Sequence, residues 1–301
     1  MRSADAGQCV FEGLTVQRSA NNGFLFKPSA SGLLESIAIR DSVVARTAKQ
    51  GIFFVAGPGV SCRQNEIADC IVTETGDTAI EINGTAGVAA ANRIARCALS
   101  FVNGVGVGLY SGTGGTNRGN LVESCQIYET STNGVLLSAD GGSCNGNVIR
   151  HCNISHAGGF AGIQLTSKNS ARCDGNLIEE CSISESDLWG VLLLNQAGCA
   201  GNVLRDNMIQ SGTNIGVRVE GATANRIENN HVHGETAFGI NSTGIFTTPA
   251  SSSNLVVRNS AIGHTINFSI SANDTFGPLV TGSGQLMTTG AEAHPAANFS
   301  Q

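Results

Sequence analysis

One eight-residue motif recurs along almost the whole chain. The segments NEIADCIV (65–72), NRIARCAL (92–99), NLVESCQI (120–127), NVIRHCNI (147–154) and NLIEECSI (176–183) share the template Asn-x-aliphatic-x-x-Cys/Asn-x-aliphatic. NVLRDNMI (202–209), NRIENNHV (225–232) and NLVVRNSA (254–261) continue it, and two weaker copies, CVFEGLTV (9–16) and IAIRDSVV (37–44), precede it. Successive copies start 23–29 residues apart. A unit this short cannot enclose a core by itself, so its apolar face must be buried against the units before and after it.

About seven residues after each copy comes a second short apolar stretch: GFLF (23–26), GIFF (51–54), AIEI (79–82), GVGL (106–109), GVLL (134–137), GIQL (162–165), GVLL (190–193), GVRV (216–219), GINS (239–242) and FSIS (268–271). The alternation has period two, which is strand periodicity, and helical spacing is nearly absent. A leucine-rich repeat needs a different Leu spacing, and a propeller blade roughly 40 or more residues. The 39 glycines follow no Gly-X-Y period, so they serve turns. The spacing therefore predicts three short strands and two or three sharp turns per coil, each strand pairing in register with the coils above and below.

This pattern resembles the right-handed parallel β-helix repeat family of the pectate-lyase-like superfamily, over roughly residues 9–273. The resemblance implies an all-β solenoid of about ten coils spanning 1–273, with residues 274–301 folding back as a cap. Repeat-like sequence begins already at Cys9, which leaves little room for an N-terminal cap and suggests a fragment of a longer chain. The opening residues hold no apolar signal segment.

A formal net charge of −6 gives no basic footprint and argues against a nucleic acid partner. No apolar run reaches the roughly 18 residues of a membrane helix. Monomer and homo-oligomer remain open. Stacking in register turns each repeat position into a column. One column reads Leu14, Ser42, Cys70, Cys97, Cys125, Cys152, Cys181, Asn207, Asn230 and Asn259; another, three residues before the repeat Asn, holds Cys62, Cys144, Cys173 and Cys199. Members of this superfamily commonly stack Asn amides at such a turn. The cysteines are expected to be buried free thiols. Disulfides are the alternative, although parallel Cβ vectors suit their dihedral poorly. A zinc cage would need convergent pairs, and the chain has no CxxC. His231, His233 and Glu235 are a three-ligand set without a supporting motif, so no metal and no cofactor is assigned. The row Glu12, Arg40, Ala68, Ala95, Glu123, Arg150, Glu179, Arg205, Glu228 alternates in sign and is expected to fix register.

The resemblance also implies that a polysaccharide is bound or cleaved along one face, here that of the GIQL-type strand. Tyr110, Arg218 and Glu220 on that face are candidate substrate contacts. Glu81 and Glu220 lie about five coils apart, too far for the two acids of a glycosidase. The turn after the third strand offers a candidate catalytic cluster: His156 between Glu129 and Glu185, followed by Asp187 and by Trp189 as a sugar platform. A plain surface charge row is the competing reading. The motif sets of polygalacturonases, mannuronan epimerases and pectate lyases are not found. The expectation is a secreted or cell-surface, carbohydrate-associated protein that binds or modifies an extended polysaccharide as a lyase or hydrolase. The alternative is a non-catalytic structural or adhesive rod from a larger surface protein or fibre, and whether the chain is an enzyme stays open.

Overall fold

The computed structural model describes residues 5–6, 8–28, 32–196, 198–211, 214–234, 243–281 and 294–300. Among them the chain forms only strands and turns, wound as a right-handed parallel β-helix, the hand that parallel strand–crossover–strand connections adopt. Each coil contributes one strand to each of three long sheets. Sheet 1 has eleven strands, from Cys9–Glu12 to Thr275–Phe276. Sheet 2 has twelve, beginning with Thr15–Gln17, and sheet 3 has ten, from Phe24–Phe26 to Ile266–Ser269. A fourth sheet of six short strands, from Asp5–Ala6 to Ser143–Asn145, lines only the first half.

The register is that of the sequence repeat. Val122, Ile149, Ile178, Leu204 and Ile227 pair coil to coil in sheet 1, and all are essentially inaccessible. Two features depart from the sequence expectation. Sheet 4 is additional to the three strands per coil that the spacing predicts. In the ninth coil the sheet-3 strand is Thr243–Thr247, with Ile245 paired to Val217 and Phe268. The expected GINS segment, 239–242, lies outside the described residues. Gly244-Ile245 repeats the Gly-aliphatic pair of the other coils.

Two buried side-chain ladders run along the rod. In the first, Asn65 Oδ1 accepts from Ile37 N, and each later repeat Asn accepts at Oδ1 from both the backbone N–H and the Nδ2 of the Asn one coil earlier. Asn120 N and Nδ2, for example, reach Asn147 Oδ1 at 3.0 and 2.9 Å. The series runs from Asn65 to Asn254 and ends on Asp274 Oδ1. In the second, Asn207, Asn230 and Asn259 form the same chain and end on Asn298. The segment after residue 273 thus continues both ladders, and Thr275–Phe276 and Asn298–Ser300 add strands to sheets 1 and 2.

The cysteines take part in the same networks. All ten are free, and nine are buried. Cys62, Cys144, Cys173 and Cys199 each accept at Sγ from the ladder amide three residues on, at 3.3–3.6 Å. Asn117 Oδ1 takes the thiol's place as acceptor in one coil, while Ala89, Ala222 and Ser251 stand there in three others. Cys70, Cys97, Cys125, Cys152 and Cys181 donate to the carbonyl two residues back, as Cys152 Sγ does to Arg150 O at 3.4 Å. Asn207, Asn230 and Asn259 make that bond with Nδ2, which is why Cys and Asn interchange in this column. Burial, opposed by the bond from Asn65, pushes the Cys62 thiol up to about 12, so it stays protonated.

The charge row forms ion pairs, but over two columns. Glu123 binds Arg150 at 2.7 Å and Arg93 at 2.6 Å, and Arg93 also reaches Glu66. The buried Ala68 and Ala95 are bypassed through the outward residues two positions earlier.

One buried group couples the last coils to pH. His264 is 8 % exposed, and neither ring nitrogen has a hydrogen-bond partner among the described residues. Burial, helped by His233, lowers its pKa from 6.5 to about 4. The unfolded chain therefore binds this proton more readily, so the stabilisation is complete above pH 6.5 and is lost as pH falls from there toward 4. The melting temperature should decline as pH falls through this window, and His264→Leu should flatten that decline. An unchanged slope in the variant would assign the acid sensitivity elsewhere.

Candidate functional site

The candidate cluster around His156 lies at the end of sheet 2, and its geometry has a backbone origin. Arg18, Arg46, Glu74, Phe101, Glu129, His156 and Glu185 all hold φ between 51° and 57°. This left-handed bend at each strand end throws the side chain outward, and it recurs coil after coil. His156 Nε2 pairs with Glu185, each about half exposed. Its ring packs edge-on against Tyr128 at 4.9 Å, and Tyr128 against Phe101 at 6.1 Å. Glu129 lines a shallow depression beside Phe101 and His156. Asp187 accepts the Gly159 amide at 2.9 Å.

Trp189 belongs to a different surface. It opens the sheet-3 strand Trp189–Asn195, paired with Ala161 and Ile215. Its ring meets Phe160 at 5.2 Å, and the Arg218 guanidinium lies 5.3 Å from its centroid. Arg218 also covers Phe246 at 5.7 Å and pairs with Glu220 at 2.7 Å. The Trp189 Nε1 is buried with no partner among the described residues. Arg218, Trp189 and Glu220 therefore form one half-exposed aromatic and cationic platform.

The same face carries a polar pocket centred three to four coils toward the N-terminus, on the order of 14–19 Å at one strand spacing per coil. Tyr110 lies in it. An added Cβ on Gly108 would fall 2.2 Å from Tyr110 Cε2, so the ring folds back over the sheet into space that only glycine leaves open. Gly108 is paired with Glu81, which brings the phenol and that carboxyl together. Glu81 Oε1 accepts from Asn83 Nδ2 and Oε2 from Gln50 Nε2, both at 3.0 Å. Its burial outweighs these bonds and raises its pKa above the usual carboxylate range. Burial and then Glu81 push the Tyr110 phenol up as well. Gln50 Nε2 also donates to Asp77 Oδ2 at 3.1 Å. Sequence columns could not find this cluster, because Asp77 and Gln50 come from the turns leading into the strands. A buried acid on an outward strand position, Glu81, was the available signal.

The fold and this face define a parallel β-helix with a polar pocket and an aromatic platform on one sheet. The family model described as "Right handed beta helix region" matches residues 3–176, and that of "Periplasmic copper-binding protein (NosD)" matches 104–277. The chain belongs to the right-handed β-helix family. No curated protein matches it in sequence. Among solved structures it is similar to the Dettilon tailspike protein, at 12 % identity and a TM-score of 0.47, covering 97 % of this chain and 60 % of that one. It is also similar to the A-module of the Azotobacter vinelandii mannuronan C-5 epimerase AlgE4, at 14 % identity and a TM-score of 0.41, covering 88 % and 82 %. The periplasmic alginate epimerase AlgG follows at 10 % and 0.34, covering 79 % and 68 %. The chain thus spans less than two thirds of the tailspike's length.

Copper, named in the second family description, needs soft or imidazole ligands converging on a point. Among the described residues no three His, Cys, Asp or Glu side chains do so. The ladder cysteines whose Sγ–H groups bond carbonyls are engaged as protonated donors. Glu235, the third member of the set with His231 and His233, lies outside the described residues. The described residues do not fit a copper centre.

Proposed function

We propose that the chain binds an extended polysaccharide along the outer face of sheet 3, and that it works outside the cytoplasm where such polymers occur. The observation that carries this is the Trp189–Arg218–Glu220 platform with its unpartnered indole N–H, set on the same face as the Tyr110 pocket. Aromatic faces take the apolar side of a sugar ring, and the flanking charged and amide groups take its hydroxyls. The His156 column is better explained as structure, since its outward direction follows from a bend that recurs in neighbouring coils whatever residue occupies it. Catalysis by His156, Glu129, Glu185 and Asp187 is thereby the less supported proposal.

Calorimetric titration with a panel of neutral and uronate polysaccharides tests the reading. Trp189→Ala should weaken the best binder by on the order of 2 kcal/mol, as loss of a central aromatic anchor does. His156→Ala should leave the affinity unaltered. Binding that survives Trp189→Ala but not His156→Ala would move the site to the sheet-2 edge.

A further inference from the structure

We propose that two copies of this chain pack sheet 1 against sheet 1 as an antiparallel dimer. The two-fold axis runs along the strands, midway between the coils of Val148 and Leu177. The proposal concerns a face other than sheet 3 and stands apart from the glycan reading.

The outward positions of sheet 1 carry an apolar strip. Leu121, Val148, Leu177 and Val203 pair coil to coil, and each is partly exposed. Strand formation does not require apolar residues there. The first outward position of sheet 2, in the first three of these coils, holds Gln126, Asn153 and Ser182. Alongside the strip, Gly119, Gly146, Gly175 and Gly201 hold φ between 60° and 63°, and an added Cβ on any of them meets nothing within 4 Å. The four coils therefore present aliphatic side chains beside a margin that has none, which lets another surface lie close. Arg93 and Arg226 end the strip on either side. The described parts of the C-terminal segment do not cover it, since Thr275–Phe276 and Asn298–Ser300 extend sheets 1 and 2 at the end of the rod.

The charges select a second copy as the occupant. Beside the strip, Glu123, Arg150, Glu179 and Arg205 alternate in sign from coil to coil. The two-fold axis maps the strip onto itself, with Val148 against the partner's Leu177 and Leu121 against the partner's Val203. It also sets Arg150 against the partner's Glu179, and Glu123 against the partner's Arg205. Each chain already pairs Glu123 with Arg150 at 2.7 Å and Glu179 with Arg205 at 2.6 Å. The dimer meshes the two rows, so every charge in them has opposite neighbours along its own row and across the interface. At the outer margin His151 meets the partner's Glu180 and Ser124 the partner's Asp206, so no acid faces an acid. Arg93 and the partner's Arg226 do meet as like charges. Each is held by its own chain's carboxylates, Arg93 by Glu66 and Glu123, and Arg226 by Glu228. An axis centred on one of these coils would set Arg150 or Glu179 against its own copy. An axis along the rod would lay Val148 on Arg150. Six coils and a face about 20 Å wide bury on the order of 1,000 Å² in total, the low end for a specific interface, so a micromolar dissociation constant is expected.

Sedimentation equilibrium of the full chain is the test. The parent should pass from the mass of one chain to that of two across the micromolar range, a measurement that needs no variant. Leu177 points outward, so Leu177→Lys should melt as the parent does. It should raise the dissociation constant on the order of 100-fold, because both copies bring an unpaired charge onto the strip. Arg150→Glu should raise it about 10-fold or more, since the new carboxylate faces the partner's Glu179. Adding Glu179→Arg to that variant should bring the dimer back, because the two changed residues face each other across the axis. A parent that stays one chain at every concentration, or that forms a trimer, would overturn the proposal. So would a Leu177→Lys dimer as tight as the parent's, or a double variant no tighter than Arg150→Glu alone.

Discussion

Asn147→Leu should destabilise the fold by on the order of 3 kcal/mol, from one orphaned backbone donor and the bonds lost with the amide. Asn147 is 0 % exposed, and its Oδ1 receives both Asn120 N and Asn120 Nδ2. Leucine has similar bulk and no acceptor, so the Asn120 backbone N–H is left buried without water, at roughly 1–3 kcal/mol, while Asn120 Nδ2 keeps Asn117 Oδ1 and Ala89 O. The Asn147 Nδ2 bonds to Asn117 O, Cys144 Sγ and Asn176 Oδ1 are lost in the same change. The damage is central, because neighbouring coils rely on this rung for their own pairing. Equilibrium unfolding in guanidinium would show it as a lower midpoint, with two probes compared to detect intermediates. A midpoint equal to that of the parent would mean that the ladder is ornament and that the apolar columns alone hold the coils.

A second large effect is expected at the entry to each sheet-3 strand. An added Cβ on Gly134 would sit 2.3 Å from Ile154 Cγ2 and 2.7 Å from Gly162 O. Gly51, Gly106, Gly162, Gly190 and Gly216 occupy the same position and show the same crowding. Ala79 also occupies this position, where it is fully buried, so a single methyl is accommodated when its neighbours shift. A branched side chain extends further into the aliphatic column and against the next coil's carbonyl. Gly134→Ala should therefore be tolerated at a modest loss. Gly134→Val should cost about 3 kcal/mol or more, the upper range for overpacking a dense core. Thermal melts of the pair decide it, and equal melting temperatures for the two variants would contradict the steric argument.

The coils were legible because the repeat Asn and the Gly-aliphatic pair mark the same two places in each turn. Period-two alternation sets the aliphatic positions of the motif on one face, and two of them, Ile149 and Ile154, are fully buried. The column holding Cys125 and Asn207 was readable as a ladder, but its chemistry was not. A thiol and an amide are alike there because each donates to the carbonyl two residues back, a bond that depends on turn geometry. Sheet 4 gave no periodic signal, because its strands are only two to four residues long, as Asp5–Ala6, Val60–Arg63 and Val88–Ala90 are, too short to show an alternation. In the candidate site, Trp189, Arg218 and Glu220 fall near one another from register alone, and the structure brings them into contact on one face. Proximity in sequence groups Trp189 with His156 instead. The left-handed bend at His156 separates their contacts, with His156 against Tyr128 and Trp189 against Phe160. Asp77 escapes column reading because its counterpart one coil earlier is Lys49, so no acidic column marks it, and the shared Gln50 amide is what ties it to Glu81.

Trp189 is the sole tryptophan of the chain, so its emission reports directly on the sheet-3 face. Titrating the protein with the polysaccharide that binds best by calorimetry is the most direct test of glycan binding on that face. Binding there predicts a saturable change in tryptophan emission, with the same dissociation constant as the heat signal, because the indole N–H gains a partner and the ring loses water. A polysaccharide that binds by calorimetry and leaves the emission unchanged to saturation would contradict it.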